Sequence, residues 1–238
     1  MSERFFSTEP ITCEQATLDG QEAHHLLHVM RAKVGDRVTL FDGSGAEFEA
    51  EIVRCGRSDV EARVLSQRDV DRELPFELVV GVSLPKGDRQ KWLVDKLTEL
   101  GVTELVPLAT ERGVAQPTDS ALKRLERGVI EAAKQCGRNR LMRVAKPQAF
   151  MNWVRAKSDG VQKRKWIAHP TGSAIATLDL SAAMPTQLAV GPEGGFTGEE
   201  VAAATAAGWQ SVDLGPRILR VETAAAALAA VVALCPPS

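Results

Sequence analysis

The chain has 238 residues, with 29 Lys+Arg, 31 Asp+Glu, four His, four Cys and no Tyr, a length for one large domain or two modest ones. Apolar residues make up 44 % and charged residues 25 %, globular values that exclude a disordered or collagen-like chain. The formal charge of −2 averages two unlike parts: residues 1–74 carry 9 basic and 15 acidic side chains, residues 75–238 carry 20 and 16.

The opening MSERFFSTEP is charged at once and lacks the apolar core of a signal peptide. Glu22 to Arg31 is short and helix-like. Arg37–Phe41, Glu47–Val53 and Val60–Leu65 then place apolar residues at period two, as half-buried strands do. Asp42-Gly-Ser-Gly45 joins the first two as a hairpin, and Gly56 to Asp59 turns the second into the third. This predicts a small β-barrel or sandwich with one helix over residues 1–72. Gln67 to Glu73, charged and followed by Pro75, reads as a linker.

From residue 73 to 238 strands alternate with helices, the pattern of a parallel sheet with crossover helices. Strands are expected at Glu77–Ser83, Leu105–Leu108, Trp166–Ala168, Gln187–Val190 and Ser211–Leu214. The helix after Asp88 places Leu93, Leu97 and Leu100 on one face and stops at Gly101. The helix Ser120–Cys136 gathers Lys123, Arg127 and Lys134 opposite its apolar face. Lys123 to Lys165 carries 13 basic and 3 acidic residues, the footprint of a polyanion partner unless it is only a solvated face. Thr223 to Cys235 is a buried, Ala-rich helix, too short to span a membrane and ended by Pro236-Pro237. Cys13, Cys55, Cys136 and Cys235 are far apart, with no C-x-x-C pair and no neighbouring His. They read as reduced thiols of a cytoplasmic protein, and no metal site is expected.

Two loops carry the chemistry. In Gln187-Leu-Ala-Val-Gly-Pro-Glu-Gly-Gly-Phe-Thr-Gly-Glu-Glu200 a strand runs into a glycine loop and then a helix start. Thr197 and Glu200 have capping-box spacing, with Phe196 and Val201 placed as a hydrophobic staple. The loop matches neither the P-loop nor the dinucleotide-binding glycine pattern. It holds no Lys or Arg, and Glu193, Glu199 and Glu200 would compete with a phosphate for the same amides. A neutral or cationic ligand fits better, and S-adenosylmethionine is one; a plain turn with a good cap is the alternative. The second loop, Leu214–Ala224, puts Arg217, Arg220 and Glu222 just before an apolar helix, either as a cap with an ion pair or as a site.

These motifs occur in order with Lys86-Gly-Asp-Arg89, Lys96, Glu99-Leu-Gly101, Pro107, Glu111-Arg112 and Glu131-Ala-Ala-Lys-Gln-Cys-Gly-Arg138. His24-His25, Val29-Met-Arg31 and Gly35-Asp36 stand ahead of them. The whole set resembles the RsmE-type 16S rRNA uracil-N3 methyltransferases of the SPOUT class. The resemblance implies a parallel α/β sheet with a C-terminal trefoil knot, preceded by a PUA-like β-barrel that binds RNA. It implies a homodimer acting on 16S rRNA of the small ribosomal subunit. S-adenosylmethionine would be held around His169, Gly191, Pro192, Glu193, Gly194, Gly195, Leu214, Gly215, Ile218, Leu219 and Thr223.

On that resemblance, Arg220 is the candidate cation for the developing uracil anion, and Glu222 its orienting partner or the base. RNA phosphates would meet Arg31, Lys86, Arg89, Arg112, Lys123, Arg127, Lys134 and Arg138. Rival readings are a SPOUT enzyme for another RNA position and an inactive PUA-type RNA-binding protein.

Overall fold

The structure is a computed structural model that describes residues 4–12, 14–113, 117–156, 160–180 and 182–234. Cys13, Cys235 and Pro236-Pro237 lie outside the described residues. Chain contacts divide it into two compact units, one of residues up to Glu73 with Ala133–Leu141, the other of Leu74–Ala132 with Met142 onward.

The smaller unit holds β1 (Arg4–Phe6), β2 (Gln15–Leu18), β3 (Arg37–Phe41), β4 (Ala46–Cys55) and β5 (Val60–Asp69) in one sheet, ordered β1-β3-β4-β5-β2. Only the β1–β3 pair is parallel. The alternation of β3 to β5 sends Val38, Leu40, Phe48, Ile52, Val60 and Ala62 into a core with Phe5, Leu18 and Leu26. A short helix, α1 (Gly20–His24), continues into a π-helical turn, His25–Met30.

Two features depart from expectation here. Strand β5 runs through Asp69, into the stretch expected as a linker. There Gln67, Arg68 and Asp69 pair by backbone with Phe48, Glu47 and Ala46 while their side chains stay exposed. The composition of an exposed strand end is that of a linker, and only its pairing distinguishes them. Strands β1 and β2, of three and four residues, are too short for periodicity to announce.

The larger unit comprises β6 (Leu78–Val82), α2 (Arg89–Glu99), β7 (Glu104–Ala109), the first part of α3 (Asp119–Cys136), β8 (Arg143–Val144), β9 (Gln148–Ala149), α4 (Phe150–Val154), β10 (Arg164–Ala174), a 3-10 turn Ile175–Thr177, β11 (Thr186–Val190), α5 (Gly198–Ala206), β12 (Gln210–Asp213) and α6 (Val221–Leu234). The sheet runs β12-β10-β11-β6-β7-β8, with β9 also on β7, and every pair is parallel. Its central strands β11, β6 and β7 are short, largely buried apolar runs such as Leu78-Val-Val-Gly-Val82. One cluster packs Phe150, Trp153 and Trp209 with Ile167, Ala189 and Phe196, and Trp209 Nε1 donates to the Val154 carbonyl at 3.2 Å. Among the described residues no helix is long and apolar enough to cross a membrane, and no group of three or more His, Cys, Asp or Glu is placed to hold a metal ion.

Candidate functional site

Parallel strands deliver their following loops to one edge of a sheet, where open α/β folds bind ligands. Here the chain around the carboxyl ends of β10, β11 and β12 encloses a cleft of about 500 Å³. After β11, Gly191–Thr197 forms one wall. Gly195 sits at φ 68°, a left-handed conformation that suits glycine, and its amide donates to the Pro192 carbonyl at 2.8 Å.

The expected capping box then starts α5. Thr197 Oγ1 accepts from the Glu200 amide at 3.2 Å, and the Thr197 amide donates to Glu200 Oε2 at 2.8 Å. The other oxygen of buried Glu200 accepts from the Glu111 amide at 3.0 Å, which anchors the loop after β7 to the same carboxylate. A second wall comes from β10, whose pairing with β12 slips so that both Ala168 and Ser173 lie opposite Val212. Of the residues between those two registers, His169 and Pro170 line the cleft. A Cβ on Gly172 would lie 2.4 Å from the Val212 backbone nitrogen, so only glycine lets the strands close there. The third wall is Leu214–Leu219, led by Asp213, which accepts from the Gly215 amide at 3.0 Å.

Of the residues singled out for the cofactor, ten line this cleft: His169, Gly191, Pro192, Glu193, Gly194, Gly195, Leu214, Gly215, Ile218 and Leu219. Thr223 does not; α6 begins at Val221, two residues earlier than expected, and Thr223 stands exposed on its first turn. His169 Nδ1 lies 2.9 Å from Thr171 Oγ1 and 3.3 Å from the Thr171 amide nitrogen, which fixes the ring on the bulged segment. Sequence reasoning missed Asp213 and Pro170 on the walls, while Arg217, left between a cap and a site, lines the cleft. Arg112, expected on RNA, also lines the cleft and donates to the Gly194 carbonyl at 2.8 Å.

The expected Arg220–Glu222 partnership is corrected. Glu222 is only 6 % exposed, on the first turn of α6, and its charged partner is Arg89 at 3.7 Å, while Arg220 is exposed. The same Arg89 guanidinium reaches Glu193 Oε1 at 3.1 Å, so it links the glycine loop to α6 and is not free for a phosphate. Among the described residues Glu222 Oε2 has no hydrogen-bond partner. Neither Arg220 nor Glu222 lines the cleft.

Two of the expected phosphate contacts are corrected as well. Arg138 is 4 % exposed and clasps Glu73 through Nε and Nη2. Lys134 is held by Glu22 at 2.9 Å and lies 5.6 Å from the Phe5 ring centroid. Both cations stabilise the smaller unit from within, because charge there is buried only with a partner. Arg31, Lys86, Lys123 and Arg127 are exposed.

This arrangement has close counterparts. The RNA methyltransferase domain family matches residues 72–233, and the RNA methyltransferase PUA domain family matches residues 18–65. Ribosomal RNA small subunit methyltransferase E of Bacillus subtilis is 32 % identical over 220 residues, covering 87 % of this chain and 85 % of that protein. The chain belongs to the ribosomal RNA small subunit methyltransferase E family. Its Synechocystis member is 34 % identical over 219 residues, covering 91 % of this chain and 72 % of that protein. The Neisseria gonorrhoeae member, solved bound to S-adenosylmethionine, is 29 % identical and superimposes with a TM-score of 0.90, covering 99 % of this chain and 98 % of that one.

Proposed function

We propose that this chain transfers the methyl group of S-adenosylmethionine to N3 of a uridine in 16S rRNA of the small ribosomal subunit. The observation that carries the cofactor assignment is the cleft itself. Glycine loops bring backbone groups to its walls, and Glu193 and Asp213 place carboxylates there. That donor set suits a ligand bearing a sulfonium and an ammonium, with Val190, Ile218 and Leu219 supplying apolar surface.

When bound, the cofactor supplies an electrophilic methyl group. The protein's part is to align the uracil nitrogen with it and to manage the N3 proton. Arg220, exposed beside the cleft loop, is the cation proposed to stabilise the developing uracil anion. Glu222, buried with one oxygen free of hydrogen bonds, is the proposed acceptor of the proton. Arg89 holds that carboxylate and the glycine loop together.

The uridine must be unpaired or flipped outward to expose N3. Arg31, Lys86, Lys123 and Arg127 are the proposed phosphate contacts, with the smaller unit as a PUA-like RNA-binding barrel. The reading extends to a trefoil knot formed by the cleft loops and to a homodimer through α6, which bears no charge after Glu222 and leaves Leu234 70 % exposed. It also places the protein in the cytoplasm.

The test incubates the protein with labelled S-adenosylmethionine and small subunits that lack the modification, then identifies the methylated nucleoside by mass spectrometry. New 3-methyluridine is the expected product. A different methylated nucleoside overturns the position, and cofactor binding without any RNA methylation overturns the activity.

A further inference from the structure

In the smaller unit the chain passes from α1 through the π-helical turn His25–Met30 and leaves it at Arg31 with φ 56°. Both conformations are uncommon. π-turns recur at functional sites, and Arg31 is the one non-glycine residue with positive φ among those described. The local path sorts three histidines. His25 turns inward, edge-on to Phe5 at 5.9 Å, beside buried Leu26. His24 and His28 are exposed, their ring centroids 4.8 Å apart and their planes inclined by 48°. Nearby, Val29 and Val34 are each 63 % exposed.

Charge decides what such a surface suits. No acidic residue lies between Glu22 and Asp36, whereas Arg31 and Lys33 do, in a region where acids outnumber bases 15 to 9 over residues 1–74. The flanking acids are engaged locally. Glu22 meets Lys134 and the Phe6 amide, and Asp36 accepts from the Lys33 amide at 2.7 Å. Exposed rings beside exposed Arg31 and Lys33 suit a single nucleic-acid strand, bases stacking on the rings and phosphates meeting the cations.

We propose that His24 and His28 form a stacking platform for an unpaired RNA base, with Arg31 on the adjoining phosphate. The proposal rests on the RNA-methylating reading and adds a contact to it, in the smaller unit.

Fluorescence anisotropy with a labelled single-stranded oligoadenylate of about 12 nucleotides, a length within known single-strand site sizes, tests it over a range of salt. His24→Ala and His28→Ala should each weaken binding by roughly five- to a hundred-fold without changing the salt slope. His28→Phe, which keeps a ring, should retain most of the affinity. Arg31→Ala should instead reduce the slope by about one. Unchanged affinity in the alanine variants overturns the platform, and so does a phenylalanine variant as weak as the alanine one. Lost subunit methylation with intact oligonucleotide binding also overturns it and assigns the surface to a protein contact. Methylation of small subunits by the unaltered protein, measured in parallel, tests the parent reading separately.

Discussion

Arg138→Ala separates a structural cation from an RNA contact. The guanidinium is 4 % exposed and uses two nitrogens to hold the two oxygens of Glu73, whose side chain is 21 % exposed. Removing one partner of a fully buried pair costs about 3–5 kcal/mol. Water reaches the stranded Glu73 carboxylate, so the expected loss here is about 2–3 kcal/mol. All four tryptophans, Trp92, Trp153, Trp166 and Trp209, lie in the larger unit, so tryptophan fluorescence cannot follow this change. Hydrogen exchange of amides in β3 to β5 can. Their slowest protection should fall roughly 30- to 140-fold, since about 1.4 kcal/mol is a factor of ten. Glu73→Gln should weaken the same amides. If protection in Arg138→Ala stays within about 0.5 kcal/mol of the parent and the salt slope of RNA binding drops by about one, Arg138 is a phosphate contact and this reasoning fails.

Other perturbations probe the cleft and the sheet of the smaller unit. Gly172→Ala forces β10 away from β12, and calorimetry should find S-adenosylmethionine binding lost, whereas Gly195→Ala adds only about 1–2 kcal/mol of backbone strain and should weaken binding without abolishing it. Arg220→Ala should keep cofactor affinity while single-turnover methylation disappears; lost affinity would instead place Arg220 in the pocket. Burial pushes the Glu47 carboxyl up, but Arg4 and Arg72 outweigh it and hold it below its ordinary 4.5. Its contribution is therefore complete above that value and lost as pH falls through the lowered one. Circular dichroism of urea unfolding should show the smaller unit weakening on acidification below about pH 4.5, and Glu47→Gln should flatten that dependence.

What local pattern encodes, the sequence displayed. The capping box at Thr197 and Glu200 and the strand leading to Gly191 depend on neighbours a few residues apart, and both stand where spacing placed them. The cleft walls follow from the same loops. Partnerships across the chain were hidden: Arg138 meets Glu73 from 65 residues away, and Lys134 meets Glu22 from 112. A basic tract counted by composition therefore mixed internal ion pairs with exposed cations. The return of Ala133–Leu141 to the smaller unit has the same cause, because no compositional break marks where a helix changes company. The exchange of Arg220 for Arg89 as partner of Glu222 likewise rests on α2 packing beside α6.

The Arg89 link has a consequence for how ionic strength acts on this protein. Arg89 and Glu193 are 34 % and 49 % exposed, so dissolved ions screen their attraction, strongly only as the screening length shrinks to about 3 Å near 1 M salt. Added salt thus loosens the glycine loop from α6 as well as detaching any polyanion. A rate that declines with salt reports both events together, and cofactor affinity measured without RNA across the same series gives the loop's share.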